Sequence, residues 1–214
     1  MKILLTGGSG LLGKELQKHI KCDAPTHREL DITNPKTFKK FVNREYELVI
    51  HAAAYTEVTK AEIEPLKCAE VNITGTLNVS QAFEDSPLVY ISSEYAKSPV
   101  NFYSKTKQIA ENLIHLARGG YEGTSYLTIR TLFKPNPFPW DKAFKDQYTQ
   151  GDYVDVIAPL IAKKINEWNK TICGAVYVGT GRKTMLELAR RTKPDVQAIS
   201  VKDIKDVVIP TDYL

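Results

Sequence analysis

Cysteine, tryptophan and methionine are scarce in this 214-residue chain, with three, two and two copies. Cys22, Cys68 and Cys173 have no metal-like spacing and cannot all pair, so a disulfide framework is excluded, no metal site is expected, and a reducing compartment is implied. Long apolar runs are missing, so nothing reads as a bilayer span, and the start turns glycine-rich too soon for a signal peptide. A cytoplasmic protein without a membrane partner is expected. There is no internal repeat or low-complexity segment. Charge of one sign is not in large excess: the net charge is +4, and the lysines at 36, 39, 40, 163 and 164 fall on predicted helices as solvated faces. Nothing resembles a nucleic-acid module, so no nucleic-acid partner is expected. At this length the chain can bury a sizeable core, as one domain or as one domain with a small lobe.

What the sequence does have is concentrated in its first thirteen residues. Ile3, Leu4 and Leu5 make a short apolar run suited to a strand buried on both faces of a parallel sheet. Gly7, Gly10 and Gly13 follow with G-x-x-G-x-x-G spacing, and Leu11 to Ile20 reads as an amphipathic helix. A strand, a glycine turn and a helix start present unpaired backbone N–H groups, with the positive end of the helix dipole, to a pyrophosphate. Ser9, Gly10, Leu11, Leu12 and Gly13 are therefore candidate cofactor-binding residues together with Gly7. Glycine spacing alone also fits any tight α/β turn. The strand before it and the helix after it carry the dinucleotide reading.

Further along, strands and helices alternate. Ala24 to His27 reads as a short second strand, and Asn34-Pro35 opens a helix through Val42. Leu48 to His51 is a third strand, and a long helix is expected from about Pro65 to Phe83. Leu88 to Ile91 is a fourth strand ending at Ser92-Ser93, a helix runs from about Phe102 to Arg118 and stops at Gly119-Gly120, and Tyr126 to Arg130 is a fifth strand. The alternation predicts an α/β fold with a doubly wound parallel sheet of the Rossmann type. The proline-rich stretch from Lys134 to Trp140 cannot continue a helix or a central strand. It marks the passage from a dinucleotide-binding domain, residues 1–131, into a smaller C-terminal substrate lobe, residues 132–214. The second part is expected to hold a helix from about Tyr153 to Trp168, a sixth strand near 175–178 returning to the main sheet, and a helix over Thr184 to Arg191.

Ligands of such sheets bind beyond the carboxyl ends of the strands. Just past Ser92-Ser93, Tyr103 and Lys107 stand four apart at the start of a helix and share one face. An ammonium beside a phenol favours the phenolate, so the Tyr103 pKa is expected to lie below its usual value of about 10, with Ser93 sharing the proton. With eleven tyrosines, about one Tyr-x-x-x-Lys arises by chance, and a surface pair is the plain alternative. Placement after a strand that ends in serines, at the opening of a helix, carries the catalytic reading.

These features, with Arg28 to Thr33, Val49 to Ala54, Ala61-Glu62, Val71-Asn72, Tyr90 to Tyr95, Ile129 to Thr131 and Asp146 to Thr149, resemble extended short-chain dehydrogenases/reductases of the sugar-nucleotide type. Within these, the chain is similar to the family of dTDP-4-dehydrorhamnose reductase and its relatives. The resemblance implies an NAD(P)-dependent oxidoreductase acting on a keto group of a nucleotide-linked sugar. Ser93 would steady the substrate oxygen, Tyr103 would exchange the proton, and Lys107 would hold the nicotinamide ribose. Asp31 and Ile32 would border the adenine, Ala52, Ala53 and Ala54 would line the cofactor, and Arg28 would meet a 2′-phosphate, favouring NADP over NAD. Thr56, Glu94 and Phe133 would contact substrate. Glu94-Tyr95 after Ser93 disfavours a sugar-nucleotide dehydratase, which carries Asp-Glu there. An epimerase with tightly held NAD and a non-catalytic dinucleotide-binding protein stand as alternatives, and relatives suggest a homodimer. Departures are a Ser93-to-Tyr103 segment of only nine residues, Thr59 in place of an acidic residue, and Phe133 where tryptophan is usual.

Overall fold

The computed structural model describes residues 1–119 and 125–212. Its first part runs β1 (Ile3–Thr6), α1 (Leu11–Leu16), α2 (Lys39–Val42), β2 (Leu48–His51), α3 (Val58–Ile63), α4 (Pro65–Ala69), α5 (Gly75–Ala82), β3 (Leu88–Ser93), α6 (Phe102–Arg118) and β4 (Tyr126–Thr131). The short strands β5 (Phe133–Lys134), β6 (Lys142–Phe144), β7 (Tyr148–Thr149) and β8 (Asp152–Tyr153) come next. Then follow α7 (Val154–Glu167), β9 (Gly174–Tyr177), β10 (Lys183–Thr184), α8 (Met185–Arg190) and β11 (Gln197–Ile199). Strands β1, β2, β3, β4 and β9 lie side by side in that order, and every pair is parallel.

The strands are apolar at successive positions because both faces of the sheet are covered. Ile3, Leu5, Leu48, Ile50, Val89 and Ile91 point to the face packed by Leu12 and Leu16 of α1 and by Ile157 and Ile161 of α7. Leu4, Val49, Leu88 and Tyr90 point the other way, against Val79 of α5 and Ala110 and Ile114 of α6. The expected doubly wound parallel sheet is thus present. A third apolar cluster, with Tyr95, Tyr103, Leu132, Phe138, Tyr153, Met185 and Leu188, joins the start of α6 to the segments after β4. These segments are stitched by the small pairs β5–β8, β6–β11 and β7–β10, while α7 and β9 pack into the main sheet layers.

Local structure departs from the sequence pattern at four places, one being the helix expected from Asn34-Pro35, which opens as a 3-10 turn over Pro35–Phe38 before α2. The strand expected at Ala24 to His27 shrinks to one bridge between Leu4 and Asp23, closed by Leu5 N–H to Asp23 O and Asp23 N–H to Ile3 O, each 2.8 Å. Pro25 has no N–H to offer, and Thr26 starts a turn, donating its N–H and hydroxyl to Glu29 at 2.8 Å. Helix α1 ends at Leu16, four residues early, as the N–H groups of Lys18 and His19 tighten to bonds three residues back. The long helix from Pro65 contains a π-helical turn over Glu70–Thr74. Gly119 caps α6, and Gly120 lies outside the described residues.

The position of α6 is fixed at both ends. At its start, Asn101 and Ser104 cap each other reciprocally, and Phe102 N–H donates to Glu62 Oε1 at 2.7 Å. At its end, buried Arg118 donates to Ser80 Oγ at 3.0 Å and to the carbonyls of Ser80, Phe83 and Ser86 at 2.7–2.8 Å, closing the end of α5. Arg118→Met should therefore cost about 3 kcal/mol by leaving those acceptors unpaired. A urea melt with unchanged slope and a lower midpoint is the expected result, and a loss below about 1 kcal/mol would deny Arg118 this role.

Candidate active site

The glycine turn is built so that different glycines do different things. Gly7 has φ of +76°, and a Cβ there would lie 2.6 Å from Ala53 N. A Cβ on Gly13 would lie 2.1 Å from Gly7 O, so this glycine lets α1 sit against the turn. At Gly10 the added atom would meet only Gly7 O, at 3.2 Å, and the space beyond is open. The first intrahelical bond is Lys14 N–H to Gly10 O at 3.0 Å, and no side chain caps the start. The N–H groups of Leu11, Leu12 and Gly13, lying ahead of that bond, fit an anionic pyrophosphate. Ser9 and Leu11 are exposed on the rim, whereas Leu12 is buried in the core. Gln17, unmarked in the sequence pattern, clamps the turn by donating to Gly8 O at 2.7 Å and Gly13 O at 2.9 Å.

Arg28 is exposed. Asp31 accepts from the N–H and hydroxyl of Thr33 at 2.9 and 2.8 Å. Ile32 is buried, lies against Gly75 of α5, and offers its carbonyl to Asn78 Nδ2 at 2.8 Å. Ala52, Ala53 and Ala54 continue β2 as a half-buried stretch, with Ala52 N–H donating to Thr6 O at 3.2 Å. Beneath them a chain of side chains joins the strands to α5. Thr6 Oγ1 meets His51 Nδ1 at 2.7 Å, His51 Nε2 meets Thr76 Oγ1 at 3.0 Å, and Thr76 donates to Asn72 O at 2.7 Å. Burial, with help from the Lys107 charge, pushes the His51 pKa down to about 3, so the ring is neutral. Asn72, in the π turn, pairs both ways with the backbone of Tyr55 at 2.8 and 3.1 Å and donates to Thr106 Oγ1 at 3.0 Å. Its partners are remote in sequence, so only the Asn72 identity itself could have flagged it.

Ser93, Tyr103 and Lys107 come together where β3 meets α6, and all three are buried. The short Ser93-to-Tyr103 segment folds as a tight turn over Glu94–Ala96, with Ser93 Oγ accepting from Tyr95 N–H at 3.2 Å. The Tyr95 ring packs edge-on against Tyr103 with centroids 6.3 Å apart. The expected lowering of the Tyr103 pKa is not found. Burial pushes it up to about 12, and the hydrogen bond with Ser93 only partly opposes this. Lys107 Nζ donates to Ile91 O at 2.9 Å and sits 4.3 Å from the centre of the Tyr90 ring, and its own pKa falls to about 7 through burial.

The expected substrate contacts fall in three environments. Thr56 is exposed in the loop before α3. Phe133 is half-buried, packs on the sheet core and pairs with Asp152 in β8. Glu94, expected to contact substrate, is 2 % exposed, accepts from Thr149 Oγ1 at 2.7 Å, and binds the Tyr177 hydroxyl. Burial raises its pKa. Glu94 thus ties β3 to the β7 turn and β9 rather than reaching open space.

A parallel sheet with this glycine turn, and with Ser93, Tyr103 and Lys107 past its carboxyl edge, defines the short-chain dehydrogenase/reductase class. Within it the chain belongs to the RmlD substrate binding domain family, whose model matches residues 1–133. The dTDP-4-dehydrorhamnose reductase of Mycolicibacterium smegmatis is 31% identical over 55% of this chain and 42% of its own. An uncharacterized membrane protein of Methanocaldococcus jannaschii is 27% identical over 97% of this chain and 70% of that one. Among the described residues, no helix is long and apolar enough to cross a membrane. The crystal structure of a dTDP-4-dehydrorhamnose reductase from Clostridium acetobutylicum superposes with TM-score 0.83 at 25% identity, covering 99% of this chain and 88% of that one. The Bacillus anthracis enzyme in complex with NADP gives TM-score 0.81 at 23% identity, over 95% and 86%. The sequence matches span less than half the length of the curated reductases concerned.

The buried neutral His51 has a measurable consequence. Its folded pKa lies below the ordinary 6.5, so between that value and about 3 the unfolded chain binds the extra proton. Stability should be complete above pH 6.5 and decline as pH falls towards 3, by up to about 1.4 kcal/mol per pH unit from this group. In His51→Gln, acid unfolding followed by circular dichroism should lose that share of its slope. An unchanged slope would show that His51 is not the group held neutral.

Proposed function

We propose that this chain binds NADP(H) and reduces a keto group on a nucleotide-linked sugar, in the manner of dTDP-4-dehydrorhamnose reductase. The observation that carries this is the gathering of Ser93, Tyr103 and Lys107 at the carboxyl edge, on the sheet that also presents an uncapped helix start at its glycine turn. The neighbour from Bacillus anthracis holds NADP, and an NADPH complex is known for a Pseudomonas aeruginosa neighbour, which supports the cofactor. Residues 1–131 would hold the dinucleotide. The segments from 132 to 214 that stand outside the main sheet would form the substrate lobe.

In this reading the amides of Leu11, Leu12 and Gly13 bind the pyrophosphate, with Gly10 leaving room for it. Arg28, exposed beside Asp31 and Ile32, meets the 2′-phosphate, and Ala52, Ala53 and Ala54 line the path towards β3. When bound, the dinucleotide supplies a hydride for the carbonyl carbon. The Ser93 hydroxyl orients the carbonyl oxygen, and Tyr103 gives that oxygen a proton as it takes up the electron pair. A phenol whose pKa burial has raised to about 12 arrives protonated at any physiological pH, which suits the reducing direction. Lys107 holds the ribose and stabilises the phenolate left behind, which solvent then reprotonates. Thr56 and Phe133 are the groups left to touch substrate. Glu94 acts one layer back, holding the lobe.

Tyr103→Phe keeps the ring against Tyr95 and removes the transferable proton. Single-turnover oxidation of NADPH with a panel of 4-keto sugar nucleotides should slow by about two to four orders of magnitude, with little change in cofactor affinity. Parent-like turnover of any of them by Tyr103→Phe would refute the assignment.

A further inference from the structure

Lys107 is 2 % exposed, and a buried ammonium needs a counter-charge or it sheds its proton. The groups facing it come from several elements. From β3 it receives the Ile91 carbonyl and the Tyr90 ring, from β2 His51, from α4 Cys68, and from its own helix Tyr103 and Glu111. His51 is neutral, Tyr103 keeps its proton, and burial raises the Cys68 thiol, so none of these supplies negative charge near neutrality. Glu111 does. It lies one helical turn beyond Lys107, on the same face, and is itself buried.

The Glu111 carboxylate is held by side chains of two strands. Arg130 of β4 grips it as a fork, with Nε 3.1 Å from both oxygens and one terminal nitrogen 2.6 Å from Oε2. Ser92 of β3 donates to Oε1 at 2.5 Å. Two strands therefore fix this carboxylate one helical turn from the lysine. We infer that Glu111, clamped by Arg130 and Ser92, is a positioning residue that keeps Lys107 charged and in place. The consequence for cofactor binding rests on the function proposed above for Lys107.

The test reads Lys107 directly. Protein carrying lysine labelled with ¹³C at the ε-carbon is titrated by NMR, and the Lys107 signal is the one that vanishes in Lys107→Met. Glu111→Gln should lower the Lys107 midpoint by about one pH unit, the effect of losing a nearby charge at partly buried distances. Glu111→Asp, which keeps the charge, should restore most of it. The double variant Glu111→Gln with Arg130→Met removes the guanidinium that the single variant would leave without its carboxylate, so it reads the same loss where the single variant does not fold, and its midpoint should also fall. An unchanged midpoint in both charge-removing variants would overturn the inference.

A second measurement separates this from the cofactor assignment. NADPH affinity of Glu111→Gln should match the parent near pH 5, where Lys107 is charged in both, and fall by about tenfold near pH 8. Equal loss at both pH values would mean that Glu111 acts only on structure. If the parent itself binds no NADPH, the proposed function fails, while the lysine titration still decides the role of Glu111.

Discussion

An ammonium buried under a helix is costly unless its surroundings are arranged around it. Here that group is Lys107, and a large part of the molecule is placed to accommodate it. The Ile91 carbonyl and Tyr90 ring come from the middle of the sheet, and Glu111 comes from one turn further along α6. None of these would line up if α6 could slide. It cannot, because Asn101, Ser104 and Glu62 close its start and Arg118 locks its end into α5. The tail adds a further tie, since Asn101 Nδ2 donates to Val208 O at 3.0 Å. The same fixed start places Tyr103 beside Ser93.

The burial that makes Lys107 expensive also sets the chemistry available. It raises Tyr103 to about 12 and lowers Lys107 to about 7, so each departs from its ordinary value towards the neutral form. An i,i+4 tyrosine–lysine pair in water would shift the phenol the other way. The side-chain chain from Thr6 through His51 to Thr76 and Asn72 joins the glycine strand to the helices behind the site, so the two halves of the carboxyl edge are mechanically one. Glu94, Thr149 and Tyr177 likewise join the end of β3 to β7 and β9.

Much of this is legible in the sequence where the signal is local. The β1 run, the glycines and the Tyr103–Lys107 spacing each sit within one element, and strand β9 shows as an apolar run before it finds β4. What is not legible depends on contacts between distant residues. The strand at Ala24 to His27 looks plausible by composition, yet Pro25 and the Thr26–Glu29 bonds turn the chain away. The π turn at Glu70–Thr74 goes with Asn72 reaching Tyr55 and Thr106, 17 and 34 residues distant. Glu94 reads as a substrate contact because its partners Thr149 and Tyr177 lie 55 and 83 residues away. The Tyr103 pKa has the wrong sign from sequence for a related reason: spacing reports the neighbouring charge, and only packing reports the burial.

Everything proposed for the carboxyl edge depends on whether the glycine turn holds a dinucleotide. Calorimetric titration of NADPH into the parent and into Gly10→Val tests this most directly, since the valine side chain would project into the open space before α1. The parent should bind one NADPH per chain saturably, and a folded Gly10→Val protein should lose about a hundredfold or more in affinity. Equal affinity in the two proteins would contradict it.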